Sequence, residues 1–84
     1  HMKFTVYSKK GCPYCEKIQK VLEITGLEHV VYFLDENFTK EDFLNEFGED
    51  TSFPQVILDD SVQLGGCTET VKYLKEKEIM KYFY

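Results

Sequence analysis

Between Lys3 and Ser8 the chain reads KFTVYS, with Phe4, Val6 and Ser8 alternating against Thr5 and Tyr7. That period of two, in residues that favour extended backbone, predicts a short strand. Lys9, Lys10 and Gly11 interrupt it, and from Pro13 the period lengthens. Tyr14, Ile18, Val21, Leu22 and Thr25 then fall on one helical face, while Glu16, Lys17 and Lys20 lie largely outside it. Proline suits the first helical turn, where its missing N–H would have no partner, and Gly26 ends the helix.

The next segment, HVVYFLD at 29–35, is nearly continuous in apolar residues and short enough for a buried strand. In FTKEDFLNEFG, Thr39 is a good N-cap, Asp42 stands third in the helix and Phe38 can staple onto Phe43. Phe43, Leu44 and Phe47 are its expected inner face, and Gly48 its end. PQVILDD at 54–60 predicts a third strand, Asp59-Asp60-Ser61 a turn, and VQLGG at 62–66 a fourth strand. A last helix is expected from about Thr68, carrying Val71 and Leu74 inward. The tail EIMKYFY fits either an extension of that helix or an irregular segment.

The order β-α-β-α-β-β-α constrains the architecture. A strand–helix–strand start gives a right-handed crossover and a parallel pair, and two strands joined by a tight turn give an antiparallel one. The expected α/β fold is a four-stranded mixed sheet flanked by three helices, with helices on both faces. At 84 residues the chain has room for one domain with a thin core. His1-Met2 reads as a tag remnant and 3–84 as the domain.

Composition narrows the function. Thirteen Phe and Tyr in a chain that is 43% hydrophobic argue for a globular fold, and no apolar run approaches a membrane span. The net charge is −5, and no basic cluster is long enough to bind nucleic acid. A soluble, cytoplasmic monomer is the expectation. The acids gather at 35–50 and several lysines at 9–20, which leaves the start of the first helix locally positive.

Within that positive stretch lies KKGCPYCEK, residues 9–17. The chain has three cysteines, Cys12, Cys15 and Cys67, an odd number that argues against a disulfide scaffold. A tetrahedral zinc site needs four ligands, and only Cys67 and His29 remain beyond the pair, so no metal site is expected. Thiol–disulfide chemistry fits better. Cys12 falls at a helix N-terminus, where free N–H groups and the helix dipole favour a thiolate, and Lys9 and Lys10 add positive charge. Each pKa unit of depression corresponds to about 1.4 kcal/mol. Cys15, one turn on, can attack a mixed disulfide on Cys12 and is expected to be the less exposed of the two.

These residues resemble the glutaredoxin family, and specifically its dithiol branch, whose active-site sequence is CPYC. Three further segments carry the likeness. Lys9 stands three residues before Cys12. SFPQV at 52–56 is similar to the family's Thr-Val-Pro segment, whose proline is cis, and GGCTE at 65–69 to its Gly-Gly-Cys-Asp-Asp stretch, which binds the γ-glutamyl end of glutathione. The resemblance implies a thioredoxin-like fold and a glutathione-dependent thiol–disulfide oxidoreductase. Cys12 and Cys15 would be catalytic, and Lys9, Tyr14, Phe53, Pro54, Gly66, Cys67 and Thr68 would hold glutathione. It implies no tightly bound cofactor, glutathione as reducing co-substrate, and disulfide-bonded or glutathionylated proteins, ribonucleotide reductase among them, as partners.

The residues support those assignments in their own terms. A cis bond at Pro54 would turn the Phe53 N–H and C=O outward to pair with an extended peptide. Gly65 and Gly66 permit close backbone approach, and the helix start at Cys67 and Thr68 suits a carboxylate. Cys67 itself reads as a small packed residue. Departures from the family pattern are Glu49 and Asp50, where a basic or amide group is common, Phe53 in place of valine, and Thr68 in place of aspartate; each predicts weaker glutathione affinity. Two rival functions share the motif. One is a thioredoxin-reductase-dependent donor to ribonucleotide reductase, whose C-terminal Trp-Ser-Gly-Phe motif this tryptophan-free chain lacks. The other is a [2Fe–2S] carrier ligated through Cys12 and glutathione, which Pro13 disfavours.

Overall fold

The computed structural model describes residues 2–81. Seven elements follow the expected order: β1 (Lys3–Ser8), α1 (Pro13–Thr25), β2 (Glu28–Phe33), α2 (Lys40–Phe47), β3 (Gln55–Leu58), β4 (Val62–Gly65) and α3 (Cys67–Glu76). The sheet runs β2-β1-β3-β4, with β1 and β2 parallel and the other two pairings antiparallel. This is the thioredoxin-like arrangement.

The alternation in β1 divides the molecule into layers. Phe4 and Val6, both fully buried, point to the face where Ile18, Val21 and Leu22 of α1 and Leu74 of α3 complete the core with Val56 and Leu58. Tyr7 points the other way and meets Phe38 and Phe47 edge-on, at ring-centroid distances of 5.2 and 5.3 Å. α1 and α3 therefore share one face of the sheet, and α2 covers part of the other.

Local signals set the boundaries. Gly26 adopts a left-handed conformation (φ 71°) and its N–H bonds to the Glu23 carbonyl, ending α1. Thr39 caps α2 reciprocally with Asp42: its hydroxyl accepts from the Asp42 N–H at 3.1 Å, and its own N–H donates to Asp42 Oδ2 at 3.3 Å. The expected staple is present, with Phe38 and Phe43 stacked at 5.9 Å.

Four expectations need correction. β2 begins at Glu28 and stops at Phe33: the Leu34 N–H still bonds to the Ser8 carbonyl at 2.9 Å, but Leu34 then bridges to Phe38 and Asp35 takes a positive φ of 67°. β3 is shorter than 54–60, since Asp59 and Asp60 both turn through positive φ; aspartate tolerates that region better than most residues. Tyr14 shares the α1 stripe in projection yet is 59% exposed, and the buried face starts instead with Cys15. α3 starts one residue early, at Cys67, and Met80 from the tail folds back into the core, its N–H bonded to the Leu74 carbonyl. The remainder of the tail, 82–84, lies outside the described residues. Among those described, no helix is long and apolar enough to cross a membrane.

Candidate active site

The two motif cysteines are joined as a disulfide, with Cα atoms 5.2 Å apart. Cys12 is the N-cap of α1, in extended conformation, and its sulfur accepts the Cys15 N–H at 3.2 Å. That position gives a thiolate one direct backbone donor and the positive end of the helix dipole once the disulfide is reduced. Cys15, at 1% exposure, is less accessible than Cys12 at 6%, the order a nucleophile and its resolving partner require.

Across from Cys12 lies the loop before β3. The Phe53–Pro54 peptide bond is cis, and the Phe53 carbonyl oxygen stands 4.0 Å from Cys12 Sγ. In the disulfide this sulfur carries no proton, so the approach is proximity rather than a hydrogen bond. No backbone hydrogen bond among the described residues uses the Phe53 N–H or C=O. Both are thus free to pair with an extended ligand.

A groove of about 360 Å³ runs past this point and brings together Tyr14, Phe53, Pro54, Gly66, Cys67 and Thr68. It ends at the start of α3. The Gly66 carbonyl accepts the Thr70 N–H and hydroxyl, whereas the N–H groups of Cys67 and Thr68 have no partner among the described residues. Gly66 has little spare room: a Cβ there would come within 3.2 Å of Glu69 Oε1, which would have to give by a few tenths of an ångström, and would make ordinary contact with the Pro54 carbonyl oxygen at 3.5 Å. Gly65 has a φ of 105°, a conformation that L side chains rarely adopt.

Two residues behave differently from a simple reading of the motif. Lys10 forms an exposed ion pair with Glu36 at 3.1 Å, so part of its charge is already answered. Lys9 does not line the groove. Its ammonium stands over the Phe53 ring, 5.4 Å from the centroid. Glu49 and Asp50 are exposed in the turn after α2 and also stay outside the groove.

Sequence reasoning missed Ser52, Gln55 and Glu69, which line the same groove. Glu69 had a readable signal, an acid three residues after an N-cap position. It supplies one half of a capping box, accepting the Gly66 N–H at 2.9 Å, while glycine has no side chain to supply the other half. Cys67, 4% exposed, is the remaining free cysteine. Burial pushes its thiol pKa up, with Lys17 opposing and Glu69 adding to the rise. His29 is held at the sheet edge, its Nδ1 2.7 Å from the Leu27 carbonyl oxygen. Among the described residues no group of three or more His, Cys, Asp or Glu is placed to hold a metal ion.

Comparison with known proteins agrees with this geometry. The glutaredoxin family model matches residues 4–63, from β1 through the start of β4. Glutaredoxin 3 of Escherichia coli K12 is 28% identical over 64 residues, covering 76% of both chains. Among solved structures, glutaredoxin 1 of Francisella tularensis, complexed with cacodylate, superposes with a TM-score of 0.75 at 26% identity, over 94% of this chain and 98% of its own. The buckwheat glutaredoxin–glutathione complex shares the fold at a TM-score of 0.73 and 21% identity, over 90% of this chain and 71% of its own. With its disulfide-forming pair at a helix N-terminus and the family model spanning most of its length, the chain belongs to the glutaredoxin family and is a thiol–disulfide oxidoreductase.

Proposed function

We propose that the reducing co-substrate is glutathione, bound along the groove between the cis-proline loop and the start of α3. The observation that carries this reading is the convergence, around the cis-proline loop and the start of α3, of two sets of unpartnered backbone groups and one lysine ammonium. Phe53 offers an N–H and a C=O for the central cysteine residue of glutathione. Cys67 and Thr68 offer N–H groups at a helix start for one carboxylate. Lys9, anchored on Phe53, offers a cation toward the other.

In this reading the Cys12 thiolate attacks one sulfur of a substrate disulfide, forming a mixed disulfide and releasing the other sulfur as a thiolate. For a protein disulfide, the Cys15 thiolate then attacks Cys12 Sγ, releases the reduced substrate and leaves the Cys12–Cys15 disulfide. One glutathione thiolate reopens that bond to give glutathionylated Cys12, and a second attacks the glutathione sulfur and departs as glutathione disulfide. For a glutathionylated substrate, the Cys12 thiolate attacks the glutathione sulfur and releases the substrate thiolate, so that glutathionylated Cys12 forms directly, only the last of these steps follows, and Cys12 alone is needed. Couples of this class lie at about −200 to −230 mV, within reach of a glutathione pool. Disulfide-bonded and glutathionylated proteins are the proposed substrates.

The test is reduction of a small glutathione mixed disulfide, coupled to glutathione reductase. Cys12→Ser is expected to abolish turnover and Cys15→Ser to retain it. Wild-type protein that is idle with glutathione yet turns over with thioredoxin reductase would refute the proposed donor.

A further inference from the structure

The strongest feature that the chemistry above leaves unused is the aromatic layer behind Phe53. Phe43 is 2% exposed and stacks on Phe53 almost face to face, with centroids 4.1 Å apart and planes 12° from parallel. Phe38 flanks the same pair, 6.2 Å from Phe53. The Phe53 ring therefore has one face against a buried partner, and the Lys9 ammonium sits over the ring at 5.4 Å from its centroid. The same residue's carbonyl lies beside Cys12 Sγ. Phe53 thus touches the reactive sulfur with its backbone and holds a cation with its side chain.

We propose that Phe53 is a positioning residue whose ring, fixed by Phe43, holds the Lys9 ammonium on the Cys12 side of the cis-proline loop. A lysine in a surface loop otherwise spreads its charge over many rotamers. An ammonium held over the Phe53 ring keeps its charge beside the residue whose carbonyl lies next to Cys12 Sγ. An aliphatic side chain at position 53 would preserve the backbone groups that face the ligand and lose the hold on Lys9. The part of the proposal that concerns glutathione rests on the function proposed above; the part that concerns the thiolate does not.

Four proteins test it: Phe53→Leu, Phe53→Tyr, Lys9→Met and the Lys9→Met/Phe53→Leu double variant. The deciding readout is the pH dependence of Cys12 alkylation in the reduced proteins, assigned by peptide mass, which requires no glutathione. Lys9→Met is expected to move the midpoint upward and Phe53→Leu to move it the same way by less. Phe53→Tyr should stay near wild type, and the double variant should match Lys9→Met alone. In the coupled assay Phe53→Leu should raise KM for glutathione about two- to fivefold, the worth of an exposed cation–π contact, with kcat nearly unchanged. That increase should vanish in the Lys9→Met background. A Phe53→Leu midpoint equal to wild type overturns the proposal, as does an equal shift with and without Lys9, because the ring would then act by itself. Wild type that ignores glutathione while showing the coupled alkylation midpoints overturns the proposed co-substrate and leaves the positioning role supported.

Discussion

Replacing Phe43 by alanine tests whether the aromatic layer over the second face of the sheet is a true packed layer. Phe43 is 2% exposed and contacts three rings: Phe53 at 4.1 Å, Phe47 at 5.0 Å and Phe38 at 5.9 Å. Truncating a buried phenylalanine removes its transfer free energy and leaves a partly relaxed cavity, together about 3–5 kcal/mol. Lost ring pairing, about 0.5–1.5 kcal/mol for a single pair, is contained in that range. A domain of 84 residues has a total stability of about 4–13 kcal/mol. Phe43→Ala therefore removes from about a quarter of that stability to all of it. With no tryptophan in the chain, circular dichroism during equilibrium urea unfolding is the suitable probe. At a slope of about 1–3 kcal/mol/M the midpoint should fall by at least about 1 M. Ile24→Ala, at a position 67% exposed on α1, is the control and should stay within about 0.5 kcal/mol of wild type. A loss below about 1 kcal/mol at Phe43 would refute the packing argument, since the ring would then have been covered without being packed.

Two further outcomes follow from local structure. Thr39→Ala removes the hydroxyl that accepts the Asp42 N–H and should cost about 1 kcal/mol, with Thr39→Ser close to wild type in the same urea titration. For Cys67, burial raises the thiol pKa in the folded state above its ordinary value of 9.0, so the folded chain retains a proton that the unfolded chain has lost. The associated stability is present below that value and declines as pH rises past it; thermal unfolding across the alkaline range should show the decline, and Cys67→Ala should flatten it.

Most of the fold was legible because the chain marks its own boundaries. Pro13 and Gly26 bracket α1, and Thr39, Asp42 and Gly48 bracket α2, each through backbone groups that only those residue types satisfy or permit. Strand ends were less readable. Leu34 and Asp35 continue the apolar run of β2 in composition, but a positive φ at Asp35 ends the pairing, and composition carries no dihedral information. Tyr14 shows the limit of periodicity: its helical face is correct, yet it projects beyond the packed layers into the mouth of the groove. The cysteine pair and most of the groove could be named from short segments, because a close backbone approach or a helix start is written locally. What the sequence hid was pairing between distant segments. Nothing in KKGC indicates that Lys10 would find Glu36 or that Lys9 would find Phe53.

Those two pairings change the electrostatic picture around the nucleophile. Two adjacent lysines imply a diffuse positive collar, yet Lys10 is engaged by an acid and Lys9 is directed onto a ring. The net charge of −5 is distributed elsewhere, and beyond about 8 Å it is screened at physiological salt. The most permanent stabilisation of a Cys12 thiolate is therefore the start of α1, whose Cys15 N–H already points at the sulfur. Backbone donors are fixed by the fold, while an ammonium on four methylenes is fixed only by what it rests on. In the proposed glutathione cycle this separates two tasks: the helix sets the reactivity of the sulfur, and the Lys9–Phe53 contact adjusts it while drawing in a carboxylate. Phe53, a departure from the valine of the family pattern, is then the residue through which the packing of α2 reaches the chemistry.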